Sequence, residues 1–469
     1  ANGPAVKTKL PLGRSEKTLR CSMKYKNMPK SILMLALILA CGIGCKEAAK
    51  PQVAEYEPNY VLSYNMGQYS EQAMDEALAQ TTHALDDLFG TPDEPKLPEF
   101  LLEDEDYGTL VSIENIQKAA GPEGLYRKHK CAECHGITGN GRGKTAPLLN
   151  PYPRDYRLGR FKFKSTPIGT KPTKEDLAYL IEHGIGGTQM AKIPELTEPD
   201  INALVEYVMF LTMRGAVERS LLMEAGELDF TDPDDPDSLY TPALKNSEDE
   251  DEAELYEEQW ELIQDFVFDA AKDWSKAEKK AFEVPVRDAN TVPDTFDEVL
   301  AAMASNEDSA IKQSVIRGKE LFLGEQAACA KCHGKEGRGD GQKNDYDDWA
   351  KDWTKKFGLD PAKPEEHGPL IARGALPVQN VSPRNFQAGV FRAGKTPEKL
   401  YQRVALGIEG TPMPAATLES DQIWDIVNFV RSLREPPGDE PVNDSSSASS
   451  SDTANSNPSD SEPAQGLNS

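Results

Sequence analysis

Two five-residue runs constrain this chain more than anything else in it: Cys131-Ala-Glu-Cys134-His135 and Cys329-Ala-Lys-Cys332-His333. Cys-x-x-Cys-His is the attachment signature of c-type haem. The spacing has a chemical reason. Two thiols add across the two vinyl groups of the porphyrin, so they must sit one short turn apart. The histidine that follows is carried by the same turn to the iron, as its proximal ligand. A structural zinc site needs a second Cys or His pair close by, and each run stands alone in its own stretch. A thioredoxin-like motif expects strand–helix–strand surroundings, which neither flank shows. The sequence therefore predicts two covalently bound haems c, on Cys131 with Cys134 and on Cys329 with Cys332, and iron ligation by His135 and His333.

The flanks of the two runs repeat as well. A short helical stretch ends in an aromatic before each run, at Tyr126 and Phe322. Four glycines follow each histidine, Gly136, Gly139, Gly141 and Gly143 in one copy and Gly334, Gly337, Gly339 and Gly341 in the other. Such density lets a backbone approach a flat ligand and take up φ > 0. Then come Pro147-Leu148 and Pro369-Leu370, Pro153-Arg154-Asp155-Tyr156 and Pro383-Arg384-Asn385-Phe386, and a Gly-x-Phe ending at Phe161 and Phe391. Each copy closes on a Gly-Thr-x-Met, at Met190 and Met413. An amphipathic helix follows, marked by Ile201, Leu204, Val205, Val208 and Leu211 and by Ile423, Ile426, Val427 and Val430, with Thr197 and Asp200 as a cap in the first copy. Met190 and Met413 are the expected distal ligands, since a soft neutral thioether favours Fe(II) and raises the potential. Met209 and Met213 read as packing residues. Arg154 and Arg384 are expected to bind haem propionates, because a planar guanidinium suits a carboxylate. His83, His129, His183 and His367 show no partner pattern and read as surface residues.

The order of helix, haem run, loop, methionine and helix resembles class I cytochrome c. Both copies are similar to domains of periplasmic dihaem cytochromes and of the c-type subunits of bacterial haem–copper oxidases. The resemblance spans less than half of the 469 residues. It implies an all-α fold with two tandem class I cytochrome c domains, over residues 113–214 and 312–435. It also implies that Pro147 and Pro369 lie near the proximal histidines, where a backbone carbonyl accepts the imidazole N–H. The function it implies is electron transfer between respiratory partners, by a carrier or a complex subunit that is not itself an enzyme. A redox donor and acceptor would flank it, such as a haem–copper oxidase or a quinol-oxidising complex. The alternative is a dihaem enzyme of the peroxidase kind, with one labile distal ligand.

The copies differ in one place. His135 precedes Met190 by 55 positions and His333 precedes Met413 by 80, mostly through an insertion from Asn344 through Trp353 onward, expected as a surface helix over one haem edge. Charge is spread unevenly. The formal net charge of −26 excludes nucleic acid as a general partner. Residues 215–311 hold 28 acidic and 7 basic side chains, whereas both haem segments are mildly basic. The acidic linker is expected to be disordered over 229–252 and then helical over about 252–282, where Trp260, Ile263, Val267, Ala270 and Trp274 mark one face. That face would bury against a haem domain, and the acidic face would suit a basic redox partner. An acidic extension covers 46–112, and a Ser- and Asp-rich tail, 436–469, reads as disordered.

Lys24, Lys26 and Lys30 precede an apolar run from Ile32 to Cys41, too short for the roughly 20 residues a spanning helix needs. It reads as an export signal ending in a lipobox, with Cys41 or Cys45 lipidated, and residues 1–22 as an over-long start. The expected place is therefore outside the cytoplasm, tethered to the membrane.

Overall fold

A computed structural model describes residues 54–63, 70–342 and 345–434, so the signal region with Cys41 and Cys45 and the 436–469 tail lie outside the described residues. The described residues are helical, with isolated β-bridges and no strand. Among them, no helix is long and apolar enough to cross a membrane.

In the first repeat, helix Ile113–Ala119 packs against the 27-residue helix Glu198–Glu224. The latter starts where expected. Thr197 and Asp200 form a reciprocal capping box, with the Thr197 hydroxyl donating to the Asp200 carboxylate at 2.7 Å. Ile201, Leu204, Val205, Val208 and Leu211 are all buried, and so are Met209 and Met213. The helix runs on through residue 214, so the expected domain boundary falls inside one continuous element.

The acidic segments belong to this core rather than outside it. Helix Glu71–Phe89 of the N-terminal extension lays Leu85, Leu88 and Phe89 against helix Glu198–Glu224. The linker helix, Glu250–Lys279, packs on the same helix through Ile263, Val267, Ala270 and Trp274, as its pattern foretold, with Trp260 only partly covered. Residues 229–252 do not form the disordered spacer that their acidity suggested. Phe230, Leu239 and Tyr240 are buried, and the Tyr240 hydroxyl donates to Asp87 at 2.8 Å. Three apolar anchors outweigh the charge repulsion of the stretch.

The second repeat is built on the crossing of helices Ala310–Leu323 and Ser420–Ser432. Val315, Phe322, Ile426, Phe429 and Val430 fill it, joined by Val299 from the end of the linker. Ile423 and Val427 complete the foreseen face. The insertion helix, Asp348–Lys356, is not a free surface element. Asp352 pairs with Arg160 and Arg219 of the first repeat, and Asp347 takes a 2.6 Å bond from Lys162. His367, read as a surface residue, is 2% exposed and its Nε2 donates to the Asp360 carbonyl at 2.9 Å. The Trp353 ring of the insertion helix packs edge-on against His367, with centroids 5.1 Å apart.

Candidate haem sites

Each Cys-x-x-Cys-His run folds as a single helical turn, Cys131–His135 and Ala330–His333. The turn closes on a glycine at φ 76° in one copy and 77° in the other. The glycine loop then folds back. Gly141 N–H donates to the His135 carbonyl at 2.9 Å, and Gly339 N–H to that of His333 at 2.8 Å. The loop glycines are required by space as well as by φ. A Cβ on Gly139 would stand 2.8 Å from the Tyr156 ring, and one on Gly337 would stand 3.0 Å from the Phe386 ring.

Those two rings support the histidines. Tyr156 stacks on His135 at 4.8 Å between centroids, and Phe386 on His333 at 4.5 Å. The imidazole Nδ1 of His135 lies 3.1 Å from the carbonyl of Arg154, and that of His333 lies 3.3 Å from the carbonyl of Arg384. A carbonyl only accepts, so Nδ1 carries the proton and Nε2 keeps its lone pair for a metal. Burial works the same way, pushing the His135 pKa down to about 4 and lowering that of His333. The accepting carbonyl was expected in the neighbourhood of Pro147 and Pro369. It belongs to the arginine of the Pro-Arg-x-aromatic run, two positions before the ring that stacks on the imidazole.

The methionine loops match bond for bond. Thr188 Oγ1 donates to the Ile185 carbonyl at 2.7 Å and accepts from Met190 N–H at 3.1 Å, while Ile185 N–H donates to the Met190 carbonyl at 2.7 Å. The second copy repeats this with Thr411, Ile408 and Met413 at 2.7, 3.2 and 3.0 Å. Gly184 and Gly407 start these loops at φ 70° and 69°, where a Cβ would meet the methionine carbonyl at 2.6 Å in each copy. Sequence reasoning passed over this pair, although a shared Gly-Ile ahead of each loop marks it.

In the first repeat these parts enclose one cavity of about 430 Å³. Cys131, Cys134, His135, Arg154 and Met190 line it, with Tyr156, Phe161, Leu177, Leu180, Leu204 and Val208 as apolar walls. The volume lies within the usual range for cofactor sites. Burial raises the Cys131 thiol to about 11 and also raises Cys329. The four cysteines of the two runs form no disulfide with one another. His129, read as a surface residue, borders the cavity, while His83 and His183 are exposed as expected. Arg154 borders it too, and burial lowers its guanidinium to about 10. Arg384 points elsewhere: its Nη1 lies 3.7 Å from where a Cβ on Gly187 would stand, beside the methionine loop of the first repeat. Two thiols, a metal-ready imidazole, a thioether and buried cations suit a haem with its two carboxylates.

The cytochrome c family model matches residues 120–212 and 315–434. This chain carries two cytochrome c domains. Their cofactor is covalent haem c, and the chemistry they serve is electron transfer with redox partners. No curated protein matches the chain. Among solved structures, a chain of a reducing HAO-like protein complex from Kuenenia stuttgartiensis is similar. Identity is 23% over 69% of this chain and 97% of that one, with a TM-score of 0.38. This match overturns the expectation that the chain is no enzyme, which is dropped. At that TM-score it supplies no activity in its place.

Proposed function

We propose that both cytochrome c domains hold haem, with His135 and Met190 as the axial pair in the first and His333 and Met413 in the second, and that the chain passes electrons between redox partners outside the cytoplasm. The observation that carries this reading is the first cavity, where the Cys-x-x-Cys-His turn and the methionine loop line one space. The matching hydrogen bonds of the second repeat extend it to His333 and Met413. Bound haem supplies a one-electron Fe(III)/Fe(II) couple. The chain's own residues set the rest. The Arg154 and Arg384 carbonyls orient the imidazoles, the stacked Tyr156 and Phe386 keep them from turning, and the apolar walls exclude water. Arg154, which lines the cavity, offsets propionate charge in the first domain. The donor and acceptor are redox proteins, with a quinol-oxidising complex and a haem–copper oxidase as the leading pair. The acidic face of helix Glu250–Lys279 offers a basic partner a docking surface. Lipidation at Cys41 or Cys45 would tether the chain to the membrane.

The test is the haem content and visible spectrum of the mature protein, with Met190→Ala and Met413→Ala beside it. Two low-spin haems are expected, with the weak far-red band of methionine-ligated ferric iron. Each variant should lose about half of that band. A wild-type chain with a high-spin fraction, or a variant that keeps the full band, would overturn the ligand assignment.

A further inference from the structure

We propose that Arg392, a residue of the second cytochrome c domain, completes the haem site of the first by binding one of its propionates. This rests on the reading that both domains hold haem. Arg392 lines the cavity of Cys131, Cys134, His135 and Met190, so a side chain of the second domain borders this space of the first. Its Nε is buried and finds no hydrogen-bond partner in the protein. A buried guanidinium nitrogen without an acceptor is costly, and the cost is relieved when an anion arrives with the ligand.

The repeat adds a second, independent observation. Gly389-Val390-Phe391-Arg392 matches Gly159-Arg160-Phe161-Lys162, and Lys162 lines the same cavity. Equivalent cations from the two domains thus converge on one site instead of serving one site each. Arg154 is there as well, and Lys130 and Lys192 also line the cavity, while Glu133 is the acid in that lining and Asp347 pairs with Lys162 at 2.6 Å. The surplus of positive charge suits the two carboxylates of one haem. Burial lowers Arg392 to about 10 and Lys162 to about 8, in keeping with cations that the protein's own acids compensate only in part.

Packing explains how Arg392 reaches across. The Val390 Cγ1 atom and the Phe391 carbonyl lie 3.1 and 3.3 Å from where Cβ atoms on Gly187 and Gly186 would stand. Residues 390–392 therefore rest on the methionine loop of the first domain, and the two glycines make room for them. The potential of the first haem is then set partly by the second domain, because a cation near the iron stabilises the reduced form, which carries one positive charge less.

The experiment uses the full chain, as wild type, Arg392→Gln, Arg392→Lys and Arg154→Gln. Haem per chain is counted, and redox titrations are followed by proton NMR of the ferric haem methyls, which resolves the two haems. Arg392→Gln and Arg154→Gln should lower the midpoint of the same haem, each by on the order of tenfold in its reduction equilibrium, about 59 mV for one electron. Arg392→Lys should restore most of the shift. Should Arg392→Gln fail to fold, a smaller shift of that same haem in Arg392→Lys carries the test. Shifts on different haems, or an Arg392→Gln that only lowers the melting temperature, would overturn the assignment. A wild-type chain with fewer than two haems refutes the dihaem reading, and this inference with it.

Discussion

Gly318 sits where the two main helices of the second domain cross, and replacing it with alanine should be costly. An added Cβ would lie 1.9 Å from the Asp425 carbonyl oxygen and 2.5 Å from its carbon. Both are helix backbone and cannot swing aside. The gap is roughly 1.5 Å short of ordinary van der Waals contact, so the helices must part by about that much. Parting them loosens Phe322, Val315, Ile426 and Phe429, each 5% exposed or less, and a gap of that size forfeits at least half of each contact's attraction. It also strains a buried polar cluster. Arg317 holds the Asp425 carboxylate through two bonds of 2.8 Å, and Ser314 donates to it at 2.6 Å. Overpacking typically costs about 1–3 kcal/mol. Alanine returns about 1 kcal/mol of helix propensity, but the displaced ion pair adds to the loss. We expect Gly318→Ala to destabilise the second domain by about 2 kcal/mol, a large part of the 5–15 kcal/mol typical of a domain. The assay is denaturant unfolding of the purified chain, followed at the haem band, with Gly368→Ala as control. Gly368 has open space around its would-be Cβ and a negative φ, so that variant should match wild type. A Gly318→Ala midpoint equal to the control's would refute the backbone-contact reasoning.

Two further outcomes follow from local contacts. Tyr126 is 2% exposed and donates to the Gly136 carbonyl at 2.9 Å, so Tyr126→Phe should cost the first domain about 1 kcal/mol, read as a lower unfolding midpoint; the aromatic of the second copy is already Phe322. The Lys118 ammonium, 2.8 Å from Asp200, and the Thr197 bonds hold the Asp200 carboxyl below the usual carboxylate range. The stability it gives is therefore complete above the ordinary carboxylate pKa and is lost as pH falls below it toward the lowered value. Asp200→Asn should cost up to about 1 kcal/mol at pH 7 and flatten that acid-side loss in thermal melts; an unchanged pH profile would count against the capping role.

The haem runs, glycine loops and methionine loops were legible because each depends on neighbours within a few positions, whereas the rings stacked on His135 and His333 come from 21 and 53 positions further on. Cys-x-x-Cys-His is one turn of helix, and Gly-Thr-x-Met is one hydrogen-bonded loop. Helix positions followed from periodicity for the same reason: Ile263, Val267, Ala270 and Trp274 share a face wherever that helix packs. Reading the acidic stretch as a free spacer failed at Phe230, Leu239 and Tyr240, because three anchors in a polar run leave no periodic trace.

The sequence alone thus determined the chemistry of each site and the all-α class, since covalent spacing and a 3.6-residue period are local properties of a chain. Only the tertiary structure decided what lies around each site. It took the carbonyl for each imidazole from Arg154 and Arg384, sank His367 beneath the insertion, and brought Arg392 from the second domain into the first cavity. Those contacts join residues far apart in the chain. Burial and charge balance select them, and neither quantity exists until the chain has folded.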